Sequence, residues 1–414
     1  MKERRVVVTG FAGISPLGNS WATVREKLLS CTNAVQVMEG WKDITGLKTQ
    51  VGCPAAPFDL PSERYNRKSL RSMGRVGIMA VRATEWALED AGLINDPLVT
   101  SGDMGIAYGS SAGTPSAIAD VSNLLLQRTT LGMNANTYVR MMSHTAPVNI
   151  GLFFHVHGRL IPTSSACTSG SQGIGFAYEA IRFGRQTAMI AGGSEELDAS
   201  DAAIFDTLFA TSTEYNDTPD LTPRPFDAKR DGLVIGEGAG TLILEELEHA
   251  RARGAKIYAE IVGFANNTDG THVTSPQSEQ MAQCMRMALD DAHLAPEDIG
   301  YVNLHGTATD RGDAAESTAT YAVFGHRVPA STLKSYMGHT LGACGALEAW
   351  MSIQMMREGW FAPTINLTEP AADCGALDYI MAEPRKIETN YVMSNNFAFG
   401  GINTSLIFKR WTEE

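Results

Sequence analysis

Apolar positions along the chain fall into two patterns that take turns. Short unbroken runs, Val6-Val7-Val8, Ile106-Ala107-Tyr108, Met189-Ile190-Ala191, Leu242-Ile243-Leu244 and Tyr301-Val302-Asn303-Leu304, read as strands buried on both faces. A further run, Ile261-Val262-Gly263-Phe264, belongs with them. Between the runs the apolar residues recur at helical spacing. Val76, Met79, Ala80, Ala83 and Trp86 predict a helix over 73–91, residues 280–293 predict another, and Ile174, Ala177, Tyr178 and Ile181 predict a third that stops at Gly184. Such alternation predicts an α/β protein of layered sheets and helices.

The chain of 414 residues is longer than one core usually carries, so two sub-domains are expected. No low-complexity linker divides it. The best boundary is Arg251-Ala252-Arg253-Gly254-Ala255-Lys256, a basic helix end stopped by glycine before a new strand, which gives halves of 1–253 and 254–414. Each half has a strand running into a potentially reactive residue, but the residues themselves give only weak evidence of a repeat.

The formal net charge of −13 argues against nucleic acid as a bulk partner, and a local basic patch would be needed to dock an acidic one. No apolar run reaches the roughly 18 residues of a membrane helix. The charged lead Lys2-Glu3-Arg4-Arg5 enters a strand directly and lacks the apolar core of a signal peptide, so a cytoplasmic location is expected. The cysteines, Cys31, Cys53, Cys167, Cys284, Cys344 and Cys374, form no C-x-x-C pair and show no zinc spacing; no metal is expected.

Four segments could carry chemistry. Cys167 stands in Thr163-Ser164-Ser165-Ala166-Cys167-Thr168-Ser169-Gly170, at a turn into a helix of small residues. Free backbone N–H groups there would lower a thiol pKa and could hold an oxyanion; a structural cysteine in a packing seam is an equal reading. His305 follows a strand and opens the loop Gly306-Thr307-Ala308-Thr309-Asp310, where it is either an active-site imidazole or a hydrogen-bonded loop residue. His339, in Lys334-Ser335-Tyr336-Met337-Gly338-His339, leads into the small residues Gly342, Ala343, Gly345 and Ala346. A helix start favours the neutral imidazole, and those small residues also suit close helix packing. Asn395-Asn396-Phe397-Ala398-Phe399-Gly400-Gly401 could aim an N–H into a pocket or form a plain hairpin between 391–394 and 404–408. His155 and His157 lack a third ligand, and Gly232–Gly240 lacks the lysine and spacing of a nucleotide loop.

These segments, in this order, resemble the β-ketoacyl-[acyl-carrier-protein] synthase II family of condensing enzymes. Arg224-Pro225-Phe226-Asp227, Arg230-Asp231-Gly232 and Gly236-Glu237-Gly238-Ala239-Gly240 extend the likeness nearly end to end. The resemblance implies a thiolase-like fold, two similar α/β halves in five αβαβα layers, and a homodimer. It implies decarboxylative Claisen condensation of an acyl group on Cys167 with a malonyl unit, and acyl carrier protein as partner. His305 and His339 would bind the malonyl thioester, with Lys334 and Glu316 as supporting charges. Phe399 would be the gating aromatic, its N–H completing an oxyanion hole with that of Cys167. Thr307 and Thr309 would contact the phosphopantetheine arm, Ala112 and Phe397 would face substrate, and Lys68 and Arg71 would dock the carrier protein. The only prosthetic group implied is the one the substrates bring. Departures from the family pattern at Ala308, Ala398, Ile402 and Met337 keep every reacting group, and Ala112 implies a deeper or differently shaped acyl pocket. Three rivals share the fold: a non-catalytic chain-length partner, a degradative thiolase using coenzyme A, and a synthase of a polyene or polyketide pathway. Retention of Cys167, His305 and His339 favours the malonyl-decarboxylating branch.

Overall fold

The structure is a computed structural model and describes residues 3–412. Its first half runs β1 (Val6–Ile14), α1 (Arg75–Asp90), β2 (Met104–Gly109), α2 (Thr145–Phe154), β3 (Leu160–Pro162), α3 (Ser169–Arg182), β4 (Ala188–Glu195) and β5 (Gly238–Glu246). The second half repeats this succession: β6 (Ala259–Thr268), α4 (Ser278–Ala292), β7 (Tyr301–Asn303), α5 (Asp310–Phe324), β8 (Pro329–Ser331), α6 (Cys344–Glu358), β9 (Tyr391–Ala398) and β10 (Ile402–Arg410). Between the halves lies the short helix Leu247–Ala252, followed by Gly254 at positive φ.

Strand order repeats as well. Across the first sheet it is β3-β2-β4-β5-β1, and across the second β8-β7-β9-β10-β6. In each sheet the first three strands are parallel and the last two antiparallel to their neighbours. Val6–Val8 of β1 pair with 259–261 of β6 and join the two sheets edge to edge. The two-residue strand Asp378–Tyr379 extends the β8 side. The internal repeat, scarcely visible in the residues, is explicit in the connections.

Helices α1 and α2 cover the outer face of the first sheet, and α4, backed by α5, covers the outer face of the second. Helices α3 and α6 fill the space between the sheets, which completes five layers, αβαβα. Burial follows from this placement. Strands β1, β2 and β4 are buried at every position, as unbroken apolar runs require. Helix α6 is buried at 13 of its 15 positions, the mark of a helix with no solvent face. The two central helices touch backbone to backbone. A Cβ on Gly345 would sit 2.6 Å from the Ser171 nitrogen, and one on Gly170 would sit 2.9 Å from the Gly342 carbonyl. The small residues around His339 therefore do serve helix packing.

The helix predicted over 73–91 starts two residues late, at Arg75, with Gly74 as its N-cap. The segment after Cys167 is helical to Arg182, as its periodicity predicts. Both patterns predicted for the last segment hold, since β9 and β10 form a hairpin whose turn carries Gly400 and Gly401 at positive φ. Among the described residues no helix is long and apolar enough to cross a membrane.

Candidate active site

The loops after β3, β7, β8 and β9 meet between the two sheets. After β3, Ala166 adopts φ 50, and a single 3₁₀ turn (Ala166–Thr168) leads into α3. A left-handed alanine is strained. Here it turns Cys167 inward, where the residue is almost wholly buried. The backbone N–H groups of Phe399 and of Cys167 itself favour negative charge on the sulfur, and His339 Nε2 lies 3.0 Å from Sγ.

His339 is held on both sides by backbone. Its N–H donates to Val234 O at 2.7 Å, and its carbonyl accepts from Gly236 N at 2.9 Å. Its Nδ1 accepts the Leu341 N–H at 3.3 Å, so the proton of the neutral ring belongs on Nε2 and points at Cys167. His305 follows β7. Its own N–H and that of Gly306 donate to the Glu316 carboxylate at 2.6 and 2.7 Å. Its Nδ1 faces the Asn396 amide nitrogen at 3.4 Å, which again leaves Nε2 as the donor. The two imidazoles meet edge to face, with centroids 5.1 Å apart. One ligand-type atom from each of Cys167, His305 and His339 falls within 4.8 Å of the others.

Lys334 and Glu348 form an ion pair below the histidines, with side chains 1% and 0% exposed. The amides of Asn396 and Asn303 donate to the second Glu348 oxygen at 2.8 and 3.4 Å. The Asn396 amide thus links this pair to His305. Burial, and then the Lys334 charge, hold both imidazoles well below the usual histidine range; His339 adds to the effect on His305. Both rings are therefore neutral donors near pH 7. Glu316 is pushed up by burial to about 8, against the pull of its two N–H partners.

Cys167 departs from the sequence expectation. Burial pushes its thiol up to about 11, opposed by the Lys334 charge and the two N–H groups. The turn does present N–H groups to the sulfur, but desolvation of an almost closed site outweighs them. The resting residue is a thiol, not a preformed thiolate.

The site opens into a cavity of about 360 Å³. Its lining includes Cys167, His305, His339, Glu316, Thr307, Thr309, Phe397 and Phe399. Thr307 and Thr309 hydroxyls lie 2.9 Å apart, and the Phe399 ring leans on Phe205 at 5.3 Å. Ala112 is set apart from this lining, its N–H directed to Glu195 at 3.3 Å. Lys68 and Arg71 lie far from the chemistry in sequence and environment, exposed on and beside the short helix Arg67–Leu70. Arg75, adjoining them in sequence, is committed to Glu237. His155 and His157 are exposed.

Sequence reasoning missed Glu348, Asn396 as a link, and Glu195. Glu348 had a signal: it is the one charged residue in the largely apolar stretch 344–356. Glu195 accepts N–H bonds from Ser111 at 2.7 Å and Gly342 at 3.0 Å, tying the loops after β2 and β8 to β4; nothing in the strand pattern marks it.

Comparison with known proteins agrees with this geometry. Residues 3–250 match the model for the beta-ketoacyl synthase N-terminal domain, and residues 258–368 match that for the C-terminal domain. A 3-oxoacyl-[acyl-carrier-protein] synthase 1 of Haemophilus influenzae is 38% identical over 99% of both chains. The Escherichia coli K12 protein of the same name is 37% identical over 98% of this chain and 99% of its own. A crystal structure of a beta-ketoacyl synthase from Burkholderia phymatum STM815 superposes with a TM-score of 0.97 at 56% identity, covering 99% of this chain and all of the other. With both halves matched and relatives spanning its length, the chain belongs to the beta-ketoacyl synthase family.

Proposed function

We propose that this chain is a 3-oxoacyl-[acyl-carrier-protein] synthase in which Cys167 carries the acyl group and His305 and His339 activate the malonyl thioester. The observation that carries the reading is the convergence of one buried thiol and two neutral imidazole donors on one cavity. In the first step the Cys167 sulfur attacks the acyl thioester, and the thiol proton leaves with the carrier's sulfur, so the exchange is proton-neutral. With burial holding the thiol up to about 11, the attacking thiolate forms only as the proton is drawn off towards the departing carrier sulfur. In the second step the bond between the malonyl methylene and its carboxylate breaks and carbon dioxide departs. The enolate oxygen is held by the Nε2–H groups, which carry no net charge to protonate the carbanion. That carbon attacks the acyl carbon on Cys167. The Cys167 and Phe399 N–H groups, which favour negative charge at this position, hold the tetrahedral oxygen. Collapse releases the β-ketoacyl thioester and a Cys167 thiolate, which takes a proton from water.

The substrates bring their own phosphopantetheine, and the reading asks for no resident cofactor or metal. The carrier docks at Lys68 and Arg71, exposed cations of an acidic chain that take part in no ion pair among the described residues. Charge reversal at both positions should slow acylation by the carrier-bound thioester and remove its salt dependence. The protein acts in the cytoplasm as a homodimer. Support for the dimer is the open edge of β3, where Leu152 and Leu160 are exposed beside the sheet's last strand. A structure of AntDE with AntF, described as a type II PKS acyl-carrier protein in complex with its ketosynthase bound to the hexaketide, shares the fold at 30% identity and a TM-score of 0.87. It supports carrier docking on this scaffold.

Intact-protein mass spectrometry tests the reading. Acyl carrier thioesters should add one acyl group at Cys167, and malonyl-carrier protein should then discharge it as a β-ketoacyl product. A protein that takes no acyl group from any primer would refute it.

A further inference from the structure

From His305 the chain steps outward along the cavity wall, through a loop and into the first turn of α5. His305, Thr307, Thr309, Asp310 and Arg311 all line the cavity, while Gly306 and Ala308 are buried. Exposure rises along the series: His305 is buried, Thr307 and Thr309 are half-buried, and Arg311 is exposed. The wall thus runs from the imidazole, past two hydroxyls, to a guanidinium at the solvent end.

The charges around Arg311 leave it available. Asp310 lies 3.5 Å from Arg230, which also binds Asp373 at 2.8 Å. Asp231 accepts the N–H groups of Thr213 and Glu214 at 2.7 and 2.8 Å. Asp269 accepts from Asn403 at 2.7 Å and Gln277 N at 3.0 Å. Arg311 itself takes part in no ion pair or side-chain hydrogen bond among the described residues. An uncommitted arginine at the mouth of a catalytic cavity, on a chain of net charge −13, calls for an anionic ligand.

Given the function proposed above, we propose that Arg311 binds the phosphodiester that joins the pantetheine arm to the carrier protein. The arm has the matching polarity: a thioester at one end, amides along it and a phosphate at the other. With the thioester at His305, the amides pass the Thr307 and Thr309 hydroxyls and the phosphate meets Arg311. The residue sets how deep the thioester sits, and it discriminates phosphorylated arms from unphosphorylated ones.

The test compares acylation of Cys167 by an acyl-phosphopantetheine and by the same acyl-pantetheine without phosphate, followed by intact mass. The rate ratio is taken within each protein, so loss of folded enzyme cancels. Wild type should prefer the phosphorylated thioester by about tenfold at low salt, the preference shrinking as salt rises. Arg311→Ala should bring the ratio close to one, and Arg311→Lys should restore part of it. A wild type without the preference, or an Arg311→Ala variant that keeps it, overturns the assignment while leaving Cys167 as the acyl acceptor. A wild type acylated by neither thioester nor by acyl carrier protein removes the functional reading, and this inference with it.

Discussion

Replacing Lys334 with methionine isolates what the buried ion pair does. The substitution keeps an unbranched side chain one atom shorter and removes its charge. Glu348, fully buried, is then left with only the Asn396 and Asn303 amides as donors. Stranding one partner of a buried pair costs about 3–5 kcal/mol when the remaining charge persists. Glu348 can escape part of that cost by taking a proton. Burial already holds its carboxyl above the usual range, with Lys334 opposing, so loss of Lys334 raises it further. A carboxyl whose folded pKa lies above its unfolded value contributes stability below the unfolded pKa and loses it as pH rises through the folded one. The Lys334→Met deficit should therefore be small near pH 5.5 and grow toward pH 8.5. Adding Glu348→Gln should recover most of the loss at high pH, since a neutral amide replaces the stranded carboxylate. Thermal melts of wild type, single and double variants at both pH values measure this. A single variant as stable as wild type at pH 8.5, or a double variant no better than the single, would refute the reasoning. The same lysine depresses both imidazoles, so each ring in Lys334→Met should titrate at higher pH than in wild type, as imidazole NMR shifts would register.

Further outcomes follow from the site. Cys167→Ala should take no acyl group yet still decarboxylate malonyl-carrier protein, because both Nε2 donors remain; the acetyl-carrier product is read by mass, and its absence would tie decarboxylation to the thiol. In that variant the decarboxylation rate should stay flat from pH 6 to 8, the imidazoles being held well below 6.5, and an inflection near 6.5 would contradict their burial. Alkylation of wild-type Cys167 by iodoacetamide should rise steadily from pH 7 to 9.5, as a thiol near 11 requires, and a plateau below pH 8 would show a preformed thiolate. Gly345→Ala should lower stability by roughly 1–3 kcal/mol, since its Cβ would meet the Ser171 nitrogen at 2.6 Å between the two central helices; an unchanged melt would show that α3 and α6 can part freely.

The residues disclosed the reacting groups better than their surroundings. Cys167, His305 and His339 each follow a strand-like run and precede a small-residue loop, a pattern visible in one dimension. The Lys334–Glu348 pair was not, because its partners stand 14 positions apart on separate elements and meet only when α6 is buried between the sheets. The thiol's protonation was misread for a related reason. N–H groups at a turn can be anticipated from sequence, whereas the desolvation that outweighs them depends on how completely the two halves close over the sulfur. The residues marked the repeat only weakly because strand order and parallelism repeat while the side chains on them do not.

That repeat carries a consequence for stoichiometry. Ala166 at φ 50 opens the turn into α3, and Leu341 at φ 45 opens the corresponding turn into α6. The next residue is Cys167 in the first copy and Gly342 in the second. A side chain at Gly342 would strike Glu195 at 2.7 Å, because that carboxylate occupies the space and takes the Gly342 N–H. The duplicated architecture therefore offers one seat for a nucleophile, and the other copy's seat is plugged from across the sheet. Each chain should titrate with a single equivalent of acyl donor, and neither half of a severed chain would hold a working centre, since one brings the thiol and the other both imidazoles.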